Sequence, residues 1–250
     1  MSNSSGCCPP SQNATDQVRQ LYTDLAQHPE KDFGWGKGKE NARLLGYDPA
    51  WLNGLPDEVW ASAAAVGNPF SLGQIGPGET VVDLGCGAGA DLCIAALLVG
   101  ASGRVIGIDV TPAMVDRARK SAALLGARHV EVHEADMAQL PVDDGSVDVV
   151  IANGSINLSA RKESVLKEIF RVLRPGGRLQ FADMVRDGTV QETDQIDGDS
   201  WAGCVAGTLA PERLLDLLRK TGFEGAEVVS FTGYRTAATT IGALIRARKP

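Results

Sequence analysis

The stretch VVDLGCGAGAD, residues 81–91, decides how the rest of the chain is read. A short apolar run ends in Asp83, glycines follow at 85, 87 and 89, and a helical pattern, ADLCIAALLVG (90–100), begins at once. Glycines there let the backbone turn sharply and approach a ligand without Cβ interference. The helix start that follows turns amide groups and the positive end of its dipole towards the same place. A tight strand-to-helix turn with no ligand would look the same locally, so the context has to decide.

Downstream the rhythm is regular. RVIGIDV (104–110), VEVHEAD (130–136), VDVVIANG (147–154) and RLQFADMV (178–185) read as strands. TPAMVDRARKSAALLG (111–126) and RKESVLKEIFRVLR (161–174) read as the helices between them. Strands alternating with helices of this length predict a parallel sheet covered on both faces, with right-handed crossovers. Pro112 opens a helix and Pro175-Gly176-Gly177 reads as a helix stop. A helix at 211–221 and strands at 225–232 and 240–248 complete the pattern after an insertion, 187–208.

Upstream, residues 1–15 are polar and read as disordered or loosely docked. Val18, Leu21, Tyr22 and Leu25 have helical spacing over 14–27, with Thr15 or Asp16 as the cap. Short helices are expected around 38–46, 48–53 and 56–65, so residues 1–75 form an N-terminal arm and helical cap and 76–250 the main domain.

Composition narrows the function classes. A chain of 250 residues with 44% apolar content can bury a sizeable core. A net charge of -7 argues against a nucleic-acid backbone as the main ligand. No apolar run approaches the ~20 residues of a membrane span, and the N-terminus lacks a signal-peptide layout, so a cytoplasmic protein, monomeric or weakly dimeric, is expected. The cysteines Cys7, Cys8, Cys86, Cys93 and Cys204 are odd in number and form no zinc-type pair, so free thiols are expected, with neither a disulfide framework nor a resident metal.

Three acids close three successive strands: Asp83, Asp109 and Asp136. Asp109 stands where a carboxylate takes a ribose diol, and Asp136 with Met137 where an adenine would lie. The glycine spacing departs from the dinucleotide fingerprint, and Asp91 close behind the loop would repel a pyrophosphate. A ligand bearing an α-amino group suits Asp83 better. This points to S-adenosylmethionine rather than NAD.

VVDLGCGAGAD, VIGIDVTPAMVDRAR, EADMAQLPVDDGSVDVVIAN and EIFRVLRPGGRLQFADMV together resemble, in order, the signatures of class I S-adenosylmethionine-dependent methyltransferases over about residues 75–250. The resemblance implies an α/β, Rossmann-like sheet of seven strands, the last antiparallel, with helices on both faces and an N-terminal helical lid. It implies cofactor contacts from Asp83, Gly85 and Gly87 at the methionine part, Asp109 at the ribose with Met114 packing on it, Asp136 and Met137 at the adenine, and Asn153 near the reactive methyl.

Within that superfamily GNP (67–69), INLS (156–159), WAGCVAGTL (201–209) and the Cys7-Cys8 pair resemble the arsenite methyltransferases. That family binds As(III) through three thiolates, soft ligands for a soft centre. Here Val66 and Gly154 stand in two of the thiolate places, and only Cys204 remains. The resemblance therefore implies a methyltransferase whose acceptor pocket has been remade for another small molecule, with extra room above Gly154. Cys204 acting on arsenite with Cys7 or Cys8 is the alternative, and a non-catalytic module binding S-adenosylmethionine or a metalloid is a further one.

Further candidates follow by residue type. Trp35, between glycines, and Trp201, in the insertion, suit a lid or acceptor contact, whereas Trp51 and Trp60 read equally well as packing of the cap. Asp183, read as ending the fifth strand, and Asp199 are candidate bases or acceptor ligands. His28, His133, Tyr22 and Tyr234 are weaker.

Overall fold

The computed structural model describes residues 10–188 and 207–250. Its centre is one seven-stranded sheet of order β3-β2-β1-β4-β5-β7-β6. The strands are β1 (Thr80–Leu84), β2 (Arg104–Asp109), β3 (Val130–Glu134), β4 (Val147–Asn153), β5 (Leu173–Arg186), β6 (Glu224–Phe231) and β7 (Thr240–Arg248). Strands β1 to β5 pair in parallel, and β7 runs antiparallel to both its neighbours.

Alternation along β1 and β4 builds the core on both sides of the sheet. Val82, Leu84, Val150 and Ala152 face one cluster, closed by Val165, Leu166 and Ile169 of α7 (Lys162–Val172) and Leu218 of α8 (Pro211–Thr221). Val81, Val149 and Ile151 face the other, closed by Leu92 and Val99 of α5 (Ala90–Val99) and Val115 and Ala118 of α6 (Pro112–Leu124). A strand apolar on both faces has no stable place except inside such a sandwich. After β1 the chain adds β2 and β3 on one side, and later returns to place β4 and β5 on the other. A crevice therefore opens at the carboxyl ends of β1 and β4, where ligands bind in sheets of this kind.

The N-terminal segment consists of α1 (Pro10–Gln27), α2 (Gly38–Leu44), α3 (Pro49–Gly54) and α4 (Asp57–Trp60). Helix α1 starts four residues earlier than the sequence pattern suggests, and Thr15 and Asp16 lie inside it. Pro10 is tolerated at the opening of a helix, while Ala14, Val18 and Leu25 bury a common face. Helix α4 stops at Trp60 instead of continuing to 65. The chain beyond it is held by side-chain hydrogen bonds instead: Asn41 Nδ2 donates to Ala65 O, and Val66 N donates to Asn153 Oδ1. Tyr47, Leu52, Val59 and Trp60 pack on Cys93 and Ile94 of α5, with Tyr47 edge-on to Trp51, Trp60 and Phe70. The packing roles read for Trp51 and Trp60 are therefore present.

Two strand boundaries also differ from the sequence reading. Strand β5 begins at Leu173, and Pro175-Gly176-Gly177 forms an irregularity within it, where the register against β4 shifts between Val147 and Val149. Helix α7 does stop there. Asp183 lies within β5 and does not end it. It is 2% exposed, and its carboxylate accepts the amides of Asn157 and Met184. Cys7, Cys8, Asp199, Trp201 and Cys204 lie outside the described residues.

Ile151 is fully buried at the middle of the sheet, whereas Val229 on the edge strand β6 is 46% exposed. Ile151→Ala should destabilise the fold by about 2–4 kcal/mol through lost burial and a cavity, and Val229→Lys by no more than about 0.5 kcal/mol. Urea denaturation of the two variants checks the contrast.

Candidate functional site

The crevice at the strand ends is a cavity that, with its mouth, holds about 1190 Å³ free of protein atoms. Asp83, Gly85, Gly87, Asp109, Met114, Asp136, Met137, Asn153 and Gly154 all line it. The remaining walls come from α1, through Thr15, Val18 and Tyr22, and from Tyr47, Trp60 and residues 62–65.

The glycine loop is held by the end of β2. Gly85 N and Cys86 N donate to Ile108 O, and Gly87 N donates to Asp109 Oδ2 at 3.0 Å. Gly85 has φ +74, and a Cβ there would lie 2.3 Å from the Ser155 Cβ. Only glycine fits, because the left-handed backbone and the close approach of Ser155 act together.

Asp83 is 2% exposed, and its Oδ2 has no hydrogen-bond partner. Burial, then the nearby Asp91 and Asp109 carboxylates, push its pKa well up, opposed by the Leu92 amide. Burial also raises Asp109, although its carboxylate accepts the amides of Thr111 and Gly87. Asp136 accepts the Ala138 amide and pairs with Arg161 on the cavity rim. An orphaned, buried carboxylate oxygen facing a cavity is a site that awaits a cationic donor.

The Asn153 side chain is engaged throughout. Its Oδ1 accepts Val66 N at 2.9 Å, and its Nδ2 lies 2.9 Å from Asp91 Oδ2, Tyr47 Oη and Gly67 O. Tyr47 donates to Asp91 Oδ1 at 2.8 Å. In the sequence, Asp91 serves only as an argument about phosphate, and nothing singles out Tyr47. Their link depends on a contact 44 residues long, which no local pattern announces. The position of Asp91 one residue into the helix after the glycine loop was the available signal.

Other candidates are placed elsewhere. Trp35 packs beside Phe33, with ring centroids 5.5 Å apart, and is not in the cavity wall. Asp183 is not in the wall either. His133 is partly exposed on β3 near Glu131, and His28 pairs with Glu30. Val66 is buried against Ala182 and Met184. The room expected above Gly154 is taken by that valine, since a Cβ on Gly154 would lie 3.3 Å from Val66 Cγ1.

A doubly wound sheet with an acid-lined crevice at its switch point is the architecture of a nucleoside-binding protein. The chain belongs to the methyltransferase-domain family, whose pattern, described as "Methyltransferase domain", matches residues 75–222. It is 42% identical over 184 residues to an arsenite methyltransferase of Halobacterium salinarum, covering 74% of this chain and 47% of that one. An arsenic(III) S-adenosylmethionine methyltransferase from Chlamydomonas reinhardtii superposes with a TM-score of 0.59 at 28% identity, covering 85% of this chain and 73% of that chain. A geranyl diphosphate C-methyltransferase from Streptomyces coelicolor A3(2) superposes with a TM-score of 0.68 at 18% identity, covering 97% of this chain and 100% of that chain, a likeness of fold. The chain spans about half the length of the first curated relatives it matches.

S-adenosylmethionine is the cofactor of this family, and the donor set fits it. The orphaned Asp83 oxygen suits its ammonium, the Asp109 carboxylate a diol, and Met114 with Met137 apolar faces of its nucleoside.

Gly85→Ala should destabilise the protein by about 2–5 kcal/mol, from left-handed strain and the Ser155 clash together. Gly126→Ala, with φ +64 and open space around it, should cost only about 1–2 kcal/mol. Denaturant midpoints of the pair separate the two contributions.

Proposed function

We propose that this chain is an S-adenosylmethionine-dependent methyltransferase that acts on an organic small molecule, with a pocket diverged from that of the arsenite methyltransferases. One observation carries the substrate half of this reading. At the two places where the family resemblance puts thiolates, Val66 lies directly over Gly154. A methyl group and a missing side chain offer no ligand to a thiophilic centre.

When bound, S-adenosylmethionine supplies a methyl group on a sulfonium centre, ready for in-line displacement. The protein's task is to hold, align and dry the site. Asp83 holds the cationic end, Asp109 the ribose, and the Asp136–Arg161 pair with Met137 the far rim. Alanines 63–65, Val18, Trp60 and Leu158 provide a largely apolar wall. Among the described residues, Tyr47 and Asn153 are tied into hydrogen bonds, Asp183 lies outside the wall, and Tyr22 of α1 lines it. No helix among the described residues is long and apolar enough to cross a membrane. A cytoplasmic enzyme, monomeric or weakly dimeric, goes with this reading.

A second reading is favoured by the name of the Halobacterium salinarum relative: arsenite methylation through Cys204 with Cys7 or Cys8. A module that binds the cofactor without turnover is the third.

Calorimetry should show binding of S-adenosylmethionine and S-adenosylhomocysteine and none of NADH, and Asp109→Ala should weaken that binding by ~1.5–3 kcal/mol. Product detection with As(III), Sb(III), phenols and amines should show transfer to an organic acceptor that survives Cys204→Ser. Methylation of As(III) abolished by Cys204→Ser and by Cys7→Ser or Cys8→Ser would establish the second reading instead. Binding with no product from any acceptor would support the third.

A further inference from the structure

Asp83 and Asp91 both face the cavity, and neither has an ion pair among the described residues. Asp83 is buried with one oxygen orphaned. Asp91 uses one lone pair of each oxygen, for Tyr47 and for Asn153, and a carboxylate has about two more to offer. Two like charges without a cation are costly in a cavity wall, and a single cation between them relieves both. Tyr47, which grips Asp91, is also the buried centre of the cap's aromatic cluster with Trp51, Trp60 and Phe70.

We propose that Asp91 is the second carboxylate of a two-acid seat for the cationic end of the cofactor, and that Tyr47 is a positioning residue linking this seat to the N-terminal cap. Occupancy of the seat then orders residues 38–68, and an ordered cap strengthens occupancy, since coupling between two events is reciprocal. This rests on the cofactor reading above. It adds a role for a residue pair which that reading leaves as scaffold.

The charges around the seat set a pH dependence. Asp91 is faced by Tyr47 from the cap, Asn153 from β4 and Asp83 from β1, with Asp109 and the thiols of Cys86 and Cys93 next to Asp83. Burial pushes Asp91 up to about 6, against the hydrogen bonds from Asn153 and Tyr47. A cation prefers the ionised seat. Asp83, pushed up as well, shares the seat, so binding a cation releases protons from the pair and strengthens as pH rises.

The test combines calorimetry with S-adenosylmethionine and S-adenosylhomocysteine between pH 5.5 and 8 with amide hydrogen exchange over residues 38–68. Wild type should bind more tightly as pH rises, release a proton in buffers of different ionisation heat, and gain cap protection with S-adenosylhomocysteine. Asp91→Asn should bind about 10- to 100-fold more weakly at pH 8 and show a shallower pH slope. Tyr47→Phe should bind about 3- to 10-fold more weakly and lose the ligand-dependent protection of the cap. Wild-type affinity and slope in Asp91→Asn, or unchanged cap protection in Tyr47→Phe, would overturn the seat or the link respectively. Should Asp91→Asn fail to fold, absence of proton release by wild type overturns the seat on its own. A wild type that binds neither compound overturns the cofactor reading beneath it.

Discussion

The side-chain amide of Asn153 is the point on which the site's geometry depends. It ends β4 at the switch point, and from there it reaches the backbone at 66 and 67, the Tyr47 hydroxyl and the Asp91 carboxylate. Its orientation is fixed by chemistry, because the Val66 N–H can only donate and so requires the carbonyl oxygen. The strand end, the cap and the start of α5 therefore share one small planar group. Aspartate in its place would set a charge against Asp91, and leucine would take a partner from the Val66 N–H donor and from the Asp91 and Gly67 acceptors, a loss larger than the hydrogen bonds themselves.

Around that point the cavity is electrically one-sided. Asp83, Asp91, Asp109 and Asp136 line it, and Arg161 on the rim answers only the last. A protein keeps such an arrangement where function requires it, since a folded chain with no ligand gains nothing from unpaired buried acids. The fold by itself does not name a reaction, as many chemistries share a doubly wound sheet. What narrows the chemistry here is the pattern of acids and the family membership. The proposal for the substrate rests on what stands at positions 66 and 154.

Much of this was legible in the chain because the relevant signals are local. Strand ends marked by Asp83 and Asp109, a glycine loop, and helices of two to three turns each fall within a dozen residues, so order, sheet type and cofactor wall could be read directly. The signal failed where long-range contacts override local pattern. The segment ASAAA, 61–65, looks helical, yet Asn41 and Asn153 hold the backbone of 65 and 66 in another conformation. Trp35 looked mobile between its glycines, whereas Lys37 binds the carbonyls of Pro29 and Lys31 and settles the loop away from the cavity. The space above Gly154 was inferred from one residue and filled by another 88 positions away. Periodicity carries no information about such pairs.

The contact between Val66 and Gly154 also constrains how such a pocket can change over time. A side chain at 154 would meet the valine within 3.3 Å on a backbone at φ +69, so the two residues act as one steric unit and a change at either is felt at the other. A β-carbon placed at 154 would meet left-handed strain and the valine together.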